Sequence, residues 1–363
     1  MADYTTQIKD IEAEIAKTKY NKATQHHIGL LKAKIAKLRE KEASRGGGGG
    51  GEGFTVRRTG DGTVILLGFP SAGKSTLLNT ITNAQSEVGA YAFTTLTCIP
   101  GLLEYKHAQI QVLDVPGIVA GAASGRGRGK EVLAAMRSAD MAIVLLDALR
   151  TNELPIILKE AREAHIRLNE TQPDVKIVRT VKGGVDIGRT VPTPELDDET
   201  IKGICNEFRL HNSQIVIRTP INADQFIDAI EANKKYMPML LVVNKADLLT
   251  PQEREYIEET IKPDLFISAA LRQGTDELKE AIYHKLDFIR IYLKEPGKPA
   301  DMDVPLIMQR GDTIRRVCEK LHKDFVKNFK YSRVTGPSSK FPGQKLMLGH
   351  VLKDQDVLEL HIR

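Results

Sequence analysis

The stretch GFPSAGKS, Gly68 to Ser75, constrains this chain more than any other. It fits G-x-x-x-x-G-K-[ST], follows the apolar run TVILLGF and precedes the helical stretch KSTLLNTIT. Glycines let successive backbone N–H groups wrap an anion, and a helix N-terminus attracts it. That setting predicts a phosphate-binding loop built from Gly68, Phe69, Pro70, Ser71, Ala72, Gly73, Lys74, Ser75 and Thr76. Lys74 is expected to reach the β- and γ-phosphates, as the first catalytic candidate, and Ser75 to bind Mg²⁺.

Three further motifs follow on later strands. Asp114 ends the run IQVLD and opens D-x-x-G: Asp114, Val115, Pro116, Gly117. Its carboxylate suits the second shell of Mg²⁺, and the Gly117 N–H suits the γ-phosphate. NKAD, Asn244 to Asp247, ends another apolar run. The Asp247 carboxylate can accept from both the ring N–H and the exocyclic amine of guanine, a donor pair that adenine lacks. Lys245 can lie along the base, and Asn244 can tie this loop to the phosphate loop. Ser268, Ala269 and Ala270 follow the next strand and are expected to turn backbone N–H groups toward the guanine oxygen. Together these predict a GTP/GDP site. Between them, Thr94 and Thr95 are candidates for a switch threonine on Mg²⁺. Ile118 stands one position after Gly117, where many GTP-hydrolysing switches carry a water-orienting glutamine. Gly121, Gly125, Gly127 and Gly129 then predict a loop that orders only with the γ-phosphate in place, and Arg126 and Arg128 are candidate arginine fingers or partner contacts.

Runs of apolar strand alternating with helix predict an α/β domain with a mostly parallel sheet and helices on both faces. Its two pieces are placed at 63–173 and 223–288. The roughly 90 residues between MAIVLLDA and MLLVVNKAD exceed any simple crossover. An inserted α+β domain is therefore placed at 174–222, with VKIVRTVKGGVDIGRT read as a hairpin around Gly183 and Gly184. Residues 1–45 show two helical apolar stripes, Ile8, Ile11, Ile15 and Ile28, Leu31, Ile35, Leu38, and are expected to form a helical hairpin. The glycine run within 46–62 reads as linker and entry. Short strands around one helix at 289–363 predict a β-grasp module. No apolar stretch approaches the ~20 residues of a membrane span, and no membrane partner is expected. Three cysteines, Cys98, Cys205 and Cys318, scattered and odd in number, fit a cytoplasmic location.

GFPSAGKSTLL, YAFTTLTCIPG, DVPGI, GAASGRGRGKEVL and NKAD together resemble the developmentally regulated GTP-binding proteins (DRG) of the Obg-like GTPases. The likeness spans nearly the whole chain. It implies a P-loop GTPase G domain, an N-terminal helical hairpin, an inserted α+β domain and a C-terminal TGS domain. The family places the switch threonine second in FTT, which makes Thr95 a catalytic and Mg²⁺-binding candidate beside Lys74 and Gly117. Ile118 matches GTPases with an apolar residue in place of the glutamine, implying slow hydrolysis until a partner or a cation helps. Some relatives use K⁺ held partly by a P-loop asparagine; Ser71 stands there in this chain, so K⁺ stays an open alternative.

Both ends of the chain are basic: 1–45 carries ten Lys and Arg against six Asp and Glu, and 291–363 fourteen against nine. Arg315, Arg316, Lys320, Lys323, Lys327, Lys330 and Arg333 are expected to line one helix, with Val317, Leu321 and Phe325 toward the sheet. The resemblance implies a ribosome or RNA partner for that module. A protein partner or a solvated face fits the charges too, and a protein accessory factor remains open. His26 and His27 read as surface residues. The inserted domain shows no catalytic constellation and resembles the RNA-associated α+β fold of some translation proteins. The function expected is a GTP-hydrolysing switch on the translation machinery; the alternative is a nucleotide-gated RNA-binding scaffold with negligible turnover.

Overall fold

Strands with no polar alternation need cover on both faces, and the sheet they build here decides where a ligand can sit. The computed structural model of the protein describes residues 4–19, 21–45, 60–82, 99–114 and 136–362. Among them, one sheet runs in the order Leu265–Phe266, Met239–Asn244, Met141–Asp147, Gly62–Leu67, Ala108–Asp114, Ile99–Tyr105. All pairings are parallel except that of the edge strand Ile99–Tyr105. Gly62–Leu67 and Met141–Asp147 are buried along their whole length. Val64, Leu66, Ile110, Ile143 and Val242 form one core with Leu77 and Leu78 of the helix Lys74–Ile81. The register sets Leu66 beside Asp114 and Asp147 beside Asn244, so polar residues close three strands at their carboxyl ends. In open parallel sheets that edge is where ligands bind.

The same compact unit includes the C-terminal module. Its sheet runs Leu306–Gln309, Phe288–Lys294, Asp356–Ile362, Phe329–Thr335, Gln344–Leu346, with a parallel pair formed by the second and third strands. The helix Ile314–Leu321 lays Ile314, Val317 and Cys318 on it. The predicted long basic helix is corrected here. His322 is fully extended, breaking the helix, and its Nδ1 accepts from the Asp324 N–H to cap the short helix Lys323–Lys327. Lys330 and Arg333 lie on the next strand, and Lys320 donates to Asp61 Oδ1 (2.5 Å) and the Ile307 carbonyl (2.7 Å). The seven cations therefore share no helix face. Phe288 and Ile307 join the core of the nucleotide-type sheet, and a Cβ on Gly62 would stand 2.9 Å from the Phe288 ring.

The second compact unit holds residues of the N-terminal hairpin and 165–236. Helices Tyr4–Lys17 and Gln25–Arg45 pair through Arg39 to Glu12 (2.8 Å) and Thr5 to Glu42 (2.8 Å). The expected hairpin around Gly183 and Gly184 is also corrected. Val175–Arg179 and Val185–Arg189 do not pair; Ser213–Ile217 lies between them, antiparallel to the first and parallel to the second. The unit is wider than 174–222 because Phe226 of the helix Ala223–Glu231 is buried with Ile201, Ile204, Ile215 and Ile217. Ahead of it, the helix Leu154–Glu163 ends before His165, which is left-handed, and Ile166–Leu168 is extended.

Arg167 and Asp228 form a buried two-bond pair (2.6 and 2.7 Å), with the Tyr236 hydroxyl donating to the same carboxylate (3.2 Å). Burial alone would lower the Arg167 pKa, but the carboxylate outweighs it and raises it. Asp228→Ala takes the facing carboxylate and its two short bonds from a buried guanidinium and should cost about 3–5 kcal/mol. Urea denaturation followed by circular dichroism checks this; an unchanged first transition would contradict it.

Candidate guanine-nucleotide site

The phosphate loop leaves the strand Gly62–Leu67 and enters the helix Lys74–Ile81. Gly68 passes so close to the neighbouring strand that a Cβ would meet the Leu145 carbonyl oxygen at 2.4 Å. Gly73 is left-handed, and a Cβ there would stand 2.3 Å from Asn244 Nδ2. No side chain caps the helix, so its first N–H groups are left for an anion. Lys74 Nζ donates to the carbonyls of Gly68 and Phe69 (both 2.9 Å). Burial pushes its pKa down, partly opposed by the Asp114 carboxylate. Pro70, Ser71, Ser75 and Thr76 are exposed, whereas Ala72 is buried. Ser71 is left-handed.

Ser75 Oγ donates to Asp114 Oδ2 (2.8 Å). Asp114 Oδ1 is buried with no hydrogen-bond partner among the described residues. A buried carboxylate oxygen left bare beside a hydroxyl is a costly arrangement in a protein interior. A hydrated divalent cation resolves it, because a metal-bound water can donate to that oxygen. The donor set of Ser75 and Asp114 thus fits Mg²⁺.

Asn244 is buried and holds two loops at once. Its Nδ2 donates to the Ala72 carbonyl (2.9 Å), and its Oδ1 accepts the Ala269 N–H (3.0 Å). The next residue, Lys245, is left-handed and starts the turn Ala246–Leu248. That turn exposes Asp247, whose carboxylate has no protein partner among the described residues. The expectation for SAA narrows. The Ser268 N–H is donated to the Gln273 carbonyl (3.0 Å) and the Ala269 N–H to Asn244, which leaves the Ala270 amide alone unspent among these three.

One residue here was missed from the sequence. Asp147 ends Met141–Asp147, is buried, and accepts from Lys245 Nζ (2.6 Å) and the Leu149 N–H (3.0 Å). Burial raises its pKa, but the Lys245 ammonium and the Leu149 amide prevail and hold the carboxyl below the usual range. Its place as a strand-final acid, like Asp114, in register with Asn244 was the available signal. Thr94, Thr95, Val115, Pro116, Gly117, Ile118, Arg126 and Arg128 lie outside the described residues.

The sheet edge, the phosphate loop and the NKAD turn define a P-loop guanine-nucleotide-binding protein. A family described as 50S ribosome-binding GTPase matches residues 63–180, the C-terminal region of that domain matches 182–288, and the TGS domain matches 289–362. An uncharacterized GTP-binding protein of Methanocaldococcus jannaschii is 54% identical over 98% of this chain and 92% of its own length. Developmentally-regulated G-protein 3 of Arabidopsis thaliana is 43% identical over 99% of both chains. Developmentally-regulated GTP-binding protein 1 of Xenopus laevis is 42% identical, also over 99% of both. The chain belongs to the developmentally regulated GTP-binding protein family. No helix among the described residues is long and apolar enough to cross a membrane.

Asp147→Asn keeps the shape and removes the charge under Lys245. GDP affinity measured by calorimetry should fall about tenfold, or ~1.4 kcal/mol; unchanged affinity would contradict a role for the pair. The lowered Lys74 pKa gives a second expectation. Raising the pH through it strips the ammonium, so the affinity of nucleotide-free protein for GDP should weaken toward alkaline pH at lower pH than for an ordinary lysine. Calorimetry across that range reads it, and a flat profile in the alkaline range would count against it.

Proposed function

We propose that this protein hydrolyses GTP to GDP and phosphate with Mg²⁺ and uses the nucleotide state as a switch on the translation machinery, in the cytoplasm. The observation that carries this reading is the convergence, on one sheet edge, of the phosphate loop, the Ser75–Asp114 pair and the Asp247 turn through Asn244. Lys74 and the loop amides hold the phosphates. Ser75 and Thr95 would hold the cation, and the unpartnered Asp114 Oδ1 would accept a hydrogen bond from one of its waters. When bound, Mg²⁺ supplies neutralisation of charge on the β- and γ-phosphates. Gly117 reads the γ-phosphate through its N–H. Asp247 selects guanine, Lys245 lies along the base with Asp147 beneath its ammonium, and the Ala270 amide meets the base oxygen. Ile118 offers no hydrogen bond to the attacking water, which supports a slow intrinsic rate.

The translation link is supported by the description of the matched family as ribosome-binding and by the basic C-terminal module. The strand that ends in the phosphate loop begins against that module, at Asp61 and Gly62. A physical connection between nucleotide and module therefore exists within one unit.

Single-turnover assays with radiolabelled GTP should show phosphate release with Mg²⁺ and none with a chelator. Asp247→Asn should move preference from GTP to xanthosine triphosphate by at least about tenfold, since one acceptor becomes a donor. Ribosomes pelleted at physiological salt should carry down the protein with a non-hydrolysable GTP analogue and not with GDP. Release unaffected by the chelator, or equal absence from both pellets, would contradict the respective parts.

A further inference from the structure

The helix side of the C-terminal module is spent on its own core, since Val317 and Cys318 pack against Ile289, Ile291, Val334 and Leu358. The opposite sheet face carries a different chemistry. Strand pairing sets Lys294, Glu359, Arg333 and Lys345 in one row across four strands. Next to it His361 and Tyr331 form a cross-strand pair, their rings stacked at 4.4 Å and 20°. Tyr292, Val357 and Thr335 line the far side of the charged row.

The single carboxylate of the row is already satisfied. Glu359 is only 7% exposed and is met by His361 (2.6 Å), Lys294 (3.1 Å) and Arg333 (3.8 Å). Two permanent cations, Lys294 and Arg333, share one anion, and Lys345 adds a third, so the face has a surplus of positive charge. Lys345 Nζ lies 4.7 Å from the Tyr331 ring centre. Its strand flanks Tyr331 on the side away from His361, so the ammonium occupies the ring face that the imidazole leaves free. An exposed lysine is a displaceable cover: a flat π-system can take its place while the ammonium turns to a phosphate.

The geometry points to this sheet face as a binding surface for single-stranded RNA, with a base stacked on Tyr331 and phosphates on Arg333, Lys345 and Lys294. Tyr331 is half-buried, and aromatics interleaved with cations on a sheet recognise unpaired bases, because every base has a π-face and each linkage carries one negative charge. An A-form duplex keeps its bases stacked inward and offers nothing to Tyr331. This assignment rests on the RNA-linked reading of the protein given above and moves the contact from the basic helix to the sheet.

The full chain contains no tryptophan, so Tyr331→Trp introduces a single reporter at the ring in question. A single-stranded RNA of about twelve nucleotides, within the range one small module covers, is titrated at physiological salt. The expected result is saturable quenching by the single strand and none by the matching duplex. In parallel, anisotropy of the labelled strand should show binding by the unmodified protein. Arg333→Glu and Lys345→Glu, both at exposed positions, should each weaken it roughly tenfold or more, and Arg315→Glu on the helix should not. Binding by the unmodified protein with no quenching and no loss in the two sheet variants overturns the sheet assignment and leaves the RNA reading standing. No binding by the unmodified protein overturns both, and leaves the face to an acidic protein segment.

Discussion

The site depends on the two hydrogen bonds of Asn244. One buried amide reaches the Ala72 carbonyl of the phosphate loop and the Ala269 amide of the SAA loop. These loops are about 200 positions apart in sequence, so nothing local could hold them in register. A side chain that donates and accepts at once is needed, and the amide does so from two separate atoms. Gly73 is the counterpart of that choice: any Cβ there would displace Nδ2. Burial makes both bonds strong and makes losing either costly.

The phosphate loop also has a mechanical neighbour at the other end of its strand. Lys320 and Phe288 of the C-terminal module meet Asp61 and Gly62, where the strand leading to the loop opens. Asp61 Oδ2 accepts from the Gln109 amide (2.8 Å) as well, which binds the start of this strand to the one that ends in Asp114. The two strands carrying the phosphate loop and Asp114 are thus fastened together and to the module at a single corner. Rigid strands transmit displacement well, because packed cores have discrete arrangements and do not deform continuously.

Much of the nucleotide half was legible beforehand, for a physical reason. Strands buried on both faces read as uninterrupted apolar runs, and loops that wrap phosphate need glycine at fixed spacing, so Gly68, Gly73, Lys74, Ser75, Asp114 and Asn244 stand out in the sequence. What was not legible depends on partners distant in the chain. The Val175–Arg179 and Val185–Arg189 strands look like a hairpin until Ser213–Ile217 enters between them. The break at His322 has no proline or glycine to announce it; the Asp324 amide bond to the imidazole decides it. Asp147 reads as an ordinary strand-ending acid until Lys245 is seen above it. Which amides of SAA remain for a base follows from Asn244 and Gln273, and no spacing rule contains that information.

If Asn244 holds both loops, removing it must damage base selection and phosphate binding together. The direct measurement is calorimetric affinity of Asn244→Ala for GDP and for ADP, beside the unmodified protein, with circular dichroism confirming the fold. The account predicts at least about a hundredfold loss of GDP affinity, ~2.7 kcal/mol, and a guanine-over-adenine preference reduced toward one. Unchanged GDP affinity in a folded variant, or a loss of affinity with the guanine preference fully kept, would contradict it.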